Sequence, residues 1–157
     1  MAIPGAGDRQ TQSASGLATA LLEIAKLIAS GAPDDVLFAT VAEQVAHRVG
    51  AEKASVLRFV GDERAVFVGV WKEGGSRGLP VNAELDFDRR NSALGQVRST
   101  GRAARADSYQ GRSGELPVVM RAIDVRSSVA APVMLGDEVW GAVAASTTRD
   151  EIGRAHV

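Results

Sequence analysis

An α+β domain built on a mainly antiparallel sheet is what this 157-residue sequence predicts, and three observations carry that reading. Two stretches near the N-terminus repeat apolar residues at helical spacing. Two strand-like runs follow, separated by a polar turn. The chain then returns through a long apolar hairpin, "SSVAAPVMLGDEVWGAVAAST", residues 127–147.

Residues 1–13 are Gly, Ala, Pro and polar side chains without periodicity, and are expected to form a disordered tail or linker. Leu17, Leu21, Ile24 and Ile28 then recur at helical spacing until Ser30-Gly31 stops the helix. Pro33-Asp34-Asp35 opens a second helix with acids in its first turn, where the helix dipole favours them. Leu37, Val41, Val45 and Val49 make its expected apolar stripe, and Gly50 ends it. The runs 54–60 and 65–71 read as strands joined by the polar turn "GDER". Residues 72–78, "KEGGSRG", form a loop, and 83–87 alternate like a strand. Asn91-Ser92 suits the start of a short helix through Ser99, closed by Gly101. Residues 102–105 read as a short strand and 113–124 as containing a short helix. The last hairpin turns at Gly136-Asp137.

That hairpin points toward function. A strand pair with one face in water alternates apolar and polar residues. Here Val129, Ala131, Val133 and Leu135 are apolar, and so are Ala130, Pro132 and Met134 between them. Both faces therefore need cover. The N-terminal helices suit one face. The short helices and loops of residues 91–124 suit the other, and irregular cover over an apolar sheet favours a small-molecule pocket. The expected pocket residues are Trp71, Leu94, Tyr109, Leu116, Met120, Ala131, Val133, Val143 and Ala145. Small residues such as Ala131, Gly141 and Ala145 would leave the space. Asn91 and Ser92, at a helix start with unpaired N–H groups, and Arg126 are candidate anion contacts. Arg126 belongs to a set of arginines (89, 90, 98, 102, 105, 112, 121 and 126), most of which are expected around the roof.

Composition narrows the function classes. A formal net charge of −1 gives no bulk attraction to nucleic acid or an anionic membrane. The absence of cysteine excludes disulfides, thiolate metal sites, a cysteine nucleophile and a thioether-linked chromophore. The longest apolar run, Val129 to Leu135, is far below the roughly 18 residues of a membrane span. Without a signal-peptide pattern, a cytoplasmic location is expected. His47 lies off its helix stripe and reads as a surface side chain rather than a haem ligand. Asp86 and Asp88 read as a solvated strand end rather than a cation site, so no metal is expected. "GGSRG" lacks the Lys-Ser/Thr of a phosphate loop, and Gly-x-Ser-x-Gly is absent. No catalytic residues are assigned, and an enzyme is not expected.

The segments "VAEQVAHRVGAEKASVLRF" (41–59), "STGRAARADSY" (99–109) and "IDVRSSVAAPVMLGDEVWGAVAAST" (123–147) resemble a GAF domain. They are especially similar to GAF modules placed before the kinase core in bacterial, actinobacterial-type, sensor histidine kinases. The resemblance spans residues 14–149. It implies a PAS-related fold, with N-terminal helices on one face of the sheet and a pocket under short helices and loops on the other. It also implies a small-molecule-sensing regulatory module, the N-terminal part of a two-component sensor histidine kinase that is a homodimer at full length, with an unknown ligand. The alternative is a dimerisation spacer whose pocket is filled by its own side chains. The Asn-Lys, Phe and Asp-Glu signature of cyclic-nucleotide-binding relatives is not matched. No cofactor is therefore expected, with haem, bilin and cyclic nucleotide all disfavoured. The usual C-terminal helix of the family is not recognisable after residue 149. "EIGRAHV" resembles the translation of a sequencing-library adapter, so residues 150–157 are expected to be a non-native tail.

Overall fold

The structure, a computed structural model, describes Gly16, Ala18 and residues 21–148. The expected tail at 1–13, Leu17 and the expected adapter segment at 150–157 lie outside the described residues. The chain divides into two units, residues 1–33 and 34–157. In the first, residues 21–29 form helix α1. The Ser30 hydroxyl donates to the Leu27 carbonyl (3.0 Å) at its end, and Gly31 turns the chain with φ 74°. Leu21, Leu22 and Ile28 on α1 are exposed.

The second unit opens with α2 (Asp34–Val49), whose first turn carries Asp34 and Asp35. Its buried face is shifted by one position from the expected Leu37–Val41–Val45–Val49 stripe, all four members of which are partly buried. Ala42 and Ala46 are its fully buried residues, with Val45 and Val49 partly buried beside them. Phe38 stacks on Trp140, ring centroids 5.8 Å apart. The reason is steric. Alanine lets the helix axis approach the strands, and Gly69 in the sheet sits directly beneath Phe38, where a Cβ would overlap the Phe38 Cβ and backbone.

Six strands make one sheet: β1 (Lys53–Val60), β2 (Arg64–Lys72), β3 (Glu84–Asp86), β4 (Ala104–Ala106), β5 (Ser127–Leu135) and β6 (Glu138–Thr147). Their order is β3-β2-β1-β6-β5-β4, and every neighbouring pair is antiparallel. The β1–β6 pair joins the two halves. Gly136, at φ 62°, makes the turn of the long hairpin. Two short helices, α3 (Ala93–Thr100) and α4 (Glu115–Ala122), lie in the same unit.

Strand parity assigns the two faces. Ala54 pairs with Ala145 and Val129 with Ala145, and these side chains pack with Ala42 and Ala46 of α2. The alternate residues, Leu57 paired with Ala142, pack with Ala93, Leu94 and Val97 of α3 and with Leu116 and Met120 of α4. Phe59 and Phe87 meet edge to face in the same cluster, 5.7 Å between centroids. Both faces of the hairpin are thus covered near its strand ends, while toward the turn Ala131, Met134 and Leu135 stand exposed. α2 lies on one side, the short helices on the other.

Candidate functional site

The short-helix side does not close. A cavity of about 340 Å³ lies between the strands and their cover, within the range of small-molecule sites. Its floor is Lys53, Ser55 and Leu57 of β1, Phe67, Val70 and Lys72 of β2, and Ser128, Ala130, Ala144 and Ser146 of β5 and β6. Its roof is Ala93 and Leu94 of α3, Tyr109, Leu116 and Met120 around α4, then Ile123 and Val125. Leu79 and Gly78 bound it on the loop after β2.

Local chemistry holds the roof in place. The Ser92 hydroxyl caps α3 by accepting from the Gly95 N–H (2.9 Å) and also donates to the Asp88 carbonyl. Gly101 ends α3 at φ 66°, its N–H bonded to the Val97 carbonyl. Arg121 Nη1, on α4, donates to the Tyr109 carbonyl and to the Arg112 carbonyl (2.8 Å), fixing the loop between the helices.

A row of polar groups crosses the otherwise apolar floor. Tyr109, only 6% exposed, is hydrogen-bonded through its side chain to Ser128, and the Ser128 and Ser146 hydroxyls are 2.8 Å apart. Ser146 pairs across the strands with Lys53, whose Nζ donates to the Ile123 carbonyl at 2.6 Å. Burial pushes the Tyr109 phenol up, with the Ser128 hydrogen bond and Arg112 opposing. Burial pushes the Lys53 ammonium below the usual lysine range, assisted by Lys72 and opposed by Glu52 and Asp124.

The cavity brings together Trp71, Leu94, Tyr109, Leu116 and Met120 of the residues expected from sequence. Trp71 borders it only from the far side of the sheet. Its ring meets the His47 imidazole of α2 edge-on at 5.1 Å, and His47 is otherwise exposed. Ala131, Val133, Val143 and Ala145 do not line the cavity. Ala145 is buried against α2, and Ala131 pairs with Val143 in the same alternation. The floor is made instead by the opposite parity of the same strands. Sequence alternation missed this because both parities are small or apolar. The signal available was Ser128 and Ser146, polar residues in phase with each other.

The anion contacts change in the same way. Asp88 Oδ1 accepts from the N–H groups of Arg90 (2.8 Å) and Asn91 (3.0 Å), so the chain's own carboxylate occupies that loop. These bonds hold the Asp88 carboxyl below its ordinary range. Ser92 is committed to the helix cap, and Asn91 accepts from Arg112 through its carbonyl (3.3 Å). Arg126 is exposed, and among the described residues no arginine lines the cavity. The cations that do are Lys53 and Lys72, which sequence reasoning passed over. Lys53 could have been found by phase, since it alternates with Ser55 and Leu57. Asp86 pairs with Arg64 at 2.8 Å. Among the described residues, no group of three or more His, Asp or Glu could hold a metal ion, and no helix is long and apolar enough to cross a membrane.

The GAF domain family model matches residues 35–157. No curated protein sequence matches the chain. Among solved structures, the chain is similar to the phycoerythrobilin-bound GAF domain of a cyanobacterial phytochrome. That match has 15% identity and a TM-score of 0.68, and covers 88% of this chain and 84% of that one. A phycocyanobilin-bound GAF domain from a cyanobacterial phytochrome matches at 16% identity and TM-score 0.65, covering 85% and 80%. A protein with biliverdin bound in a far-red-absorbing dark state matches at 17% identity and TM-score 0.61, covering 82% of each chain. These likenesses overturn the expectation of no cofactor with bilin disfavoured, since the same fold carries bilins in those proteins. What the missing cysteine removes is a thioether link to this chain. The apolar walls, the hydroxyl row and Lys53 fit an occupant held without a covalent bond.

Proposed function

This chain belongs to the GAF domain family, a regulatory sensory fold, and on that premise we propose that it is the small-molecule-sensing module of a bacterial signal-transduction protein. We assign it to the N-terminal part of a two-component sensor histidine kinase, working as a homodimer. One observation carries the reading: an apolar cavity of about 340 Å³, crossed by one row of hydroxyls, lies under the short helices, while on the other sheet face α2 packs directly on Ala54 and Ala145. A spacer whose pocket is filled by its own side chains would bring Leu94 and Met120 down onto the strands. Instead both residues border open space. The ligand has an apolar or planar body and few polar groups, matching the walls. A bilin, which structural relatives carry, belongs among the first probes, bound here without a thioether. Binding would favour one of two arrangements of the attached output domain, in proportion to the ligand's differential affinity for them.

The test is thermal unfolding of the chain against a panel of planar and amphipathic metabolites including biliverdin, with a filled-cavity variant, Ala144→Phe, alongside. The expected result is a saturable rise in melting temperature with at least one compound, lost in the variant. A panel without any shift would favour the spacer reading.

A further inference from the structure

We infer that Lys53 is the anchor for an acidic group on the ligand, so that the cavity selects an apolar molecule ending in a carboxylate, sulfonate or similar anion. This rests on the reading of the cavity as a ligand site and names the class of molecule it takes.

Lys53 is 6% exposed and stands in the wall of an apolar space. An ammonium has three N–H donors. One is used, on the neutral Ile123 carbonyl. Among the described residues, no carboxylate stands at ion-pair distance from it. Glu52, its neighbour, is engaged by the Thr147 hydroxyl at 2.9 Å and the Thr148 hydroxyl at 2.9 Å. Asp124 is exposed beside Arg77, 4.0 Å away. Lys72, directly across from Lys53 in the β1–β2 pair, adds a second positive charge to the same end.

A charge taken from water without a partner is costly, and a hydrogen-bonded counter-ion offsets that cost. The lowered affinity of Lys53 for its proton reports the same imbalance. A ligand anion at this end would supply the missing charge and accept the remaining N–H groups. Its apolar body would lie along Leu94, Leu116 and Met120, over the hydroxyls of Ser128 and Ser146.

The experiment is a fluorescence titration of the whole chain with two probes that share one body. Anilinonaphthalene sulfonate carries an anion, and N-phenylnaphthylamine is its neutral counterpart. The sulfonate should bind about tenfold more tightly, the worth of one hydrogen bond to a charged group. Lys53→Met should erase that preference and leave the neutral probe unchanged, while Lys53→Arg keeps it. Ala144→Phe and Ala130→Phe should block both probes. Equal affinities in the parent chain, or a preference that survives Lys53→Met, would overturn the anchor and leave the cavity reading intact. Binding of both probes that ignores both filled-cavity variants would overturn the cavity reading, and the anchor with it.

Discussion

On the α2 side of the sheet, Ala42, Ala46, Ala54, Ala145 and Gly69 let a helix and strands meet with almost nothing between their backbones. On the other side, Leu94, Tyr109, Leu116 and Met120 border open space over a floor where Ser55, Ala130 and Ala144 are just as small, beside the larger Leu57, Phe67 and Val70. Small floor residues alone therefore do not make a cavity. The roof must also be unable to descend. A single long helix can settle onto a floor as one body. Two short helices joined by a loop that Arg121 ties down cannot follow the sheet in the same way. Void on one face and close packing on the other thus come from the cover, not from the sheet.

The largest effect expected from this contrast is on the closed face. Gly69→Val should lower unfolding free energy by about 3 kcal/mol, because the added carbons meet the Phe38 backbone and not a side chain that can swing away. Urea unfolding measures it, and a loss below about 1 kcal/mol would mean that α2 slides at little cost. On the open face, Ala144→Phe should change stability by less than about 1.5 kcal/mol while removing any ligand-induced rise in melting temperature. A loss equal to that of the Gly69 variant would erase the distinction between the faces.

Tyr109→Phe should cost about 1 kcal/mol at neutral pH through the lost bond to Ser128. Because the folded phenol titrates above its ordinary 10.0, the unfolded chain ionises first. The parent therefore loses stability as pH rises from that value toward the folded one, and the phenylalanine variant is spared this loss. Alkaline unfolding curves of the two proteins should converge. Lys53→Met should give the smallest change, with the opposite sign. The folded ammonium titrates below 10.5, so its burial disfavours folding at neutral pH, and this cost is relieved as pH rises toward 10.5. The methionine variant should be slightly more stable at neutral pH, the gap closing near pH 10.5. A variant less stable at neutral pH would show that the Ile123 hydrogen bond outweighs the burial.

Much of the architecture was legible because it rests on local chemistry. The Ser92 cap, the Gly101 stop, the "GDER" turn and the Gly136 turn all specify their elements within a few residues. The face that each element buries was less legible. In α2 the valines outweigh the alanines in hydrophobicity, yet Ala42 and Ala46 face the sheet because close approach there depends on small volume. In the hairpin, Ala130 and Ala131 are the same residue type on opposite faces, and only the register with β6 separates them. Lys53 was hidden for a related reason. A lysine at a strand end reads as solvated, and its burial depends on Ile123, 70 positions further on, arriving above it.

The β1–β6 pairing has a consequence for how the chain is made. The two halves of the sheet meet only when the final strand reaches the first, bringing Ser146 beside Lys53. A growing chain emerges N-terminus first, so β1 and β2 can form their hairpin early, but one edge of β1 then waits unpaired through the synthesis of everything up to β6. Pairing so distant in sequence is slow to nucleate. A pause in translation before Glu138 would hold the chain as two unjoined pieces with an apolar edge exposed, the form most inclined to aggregate.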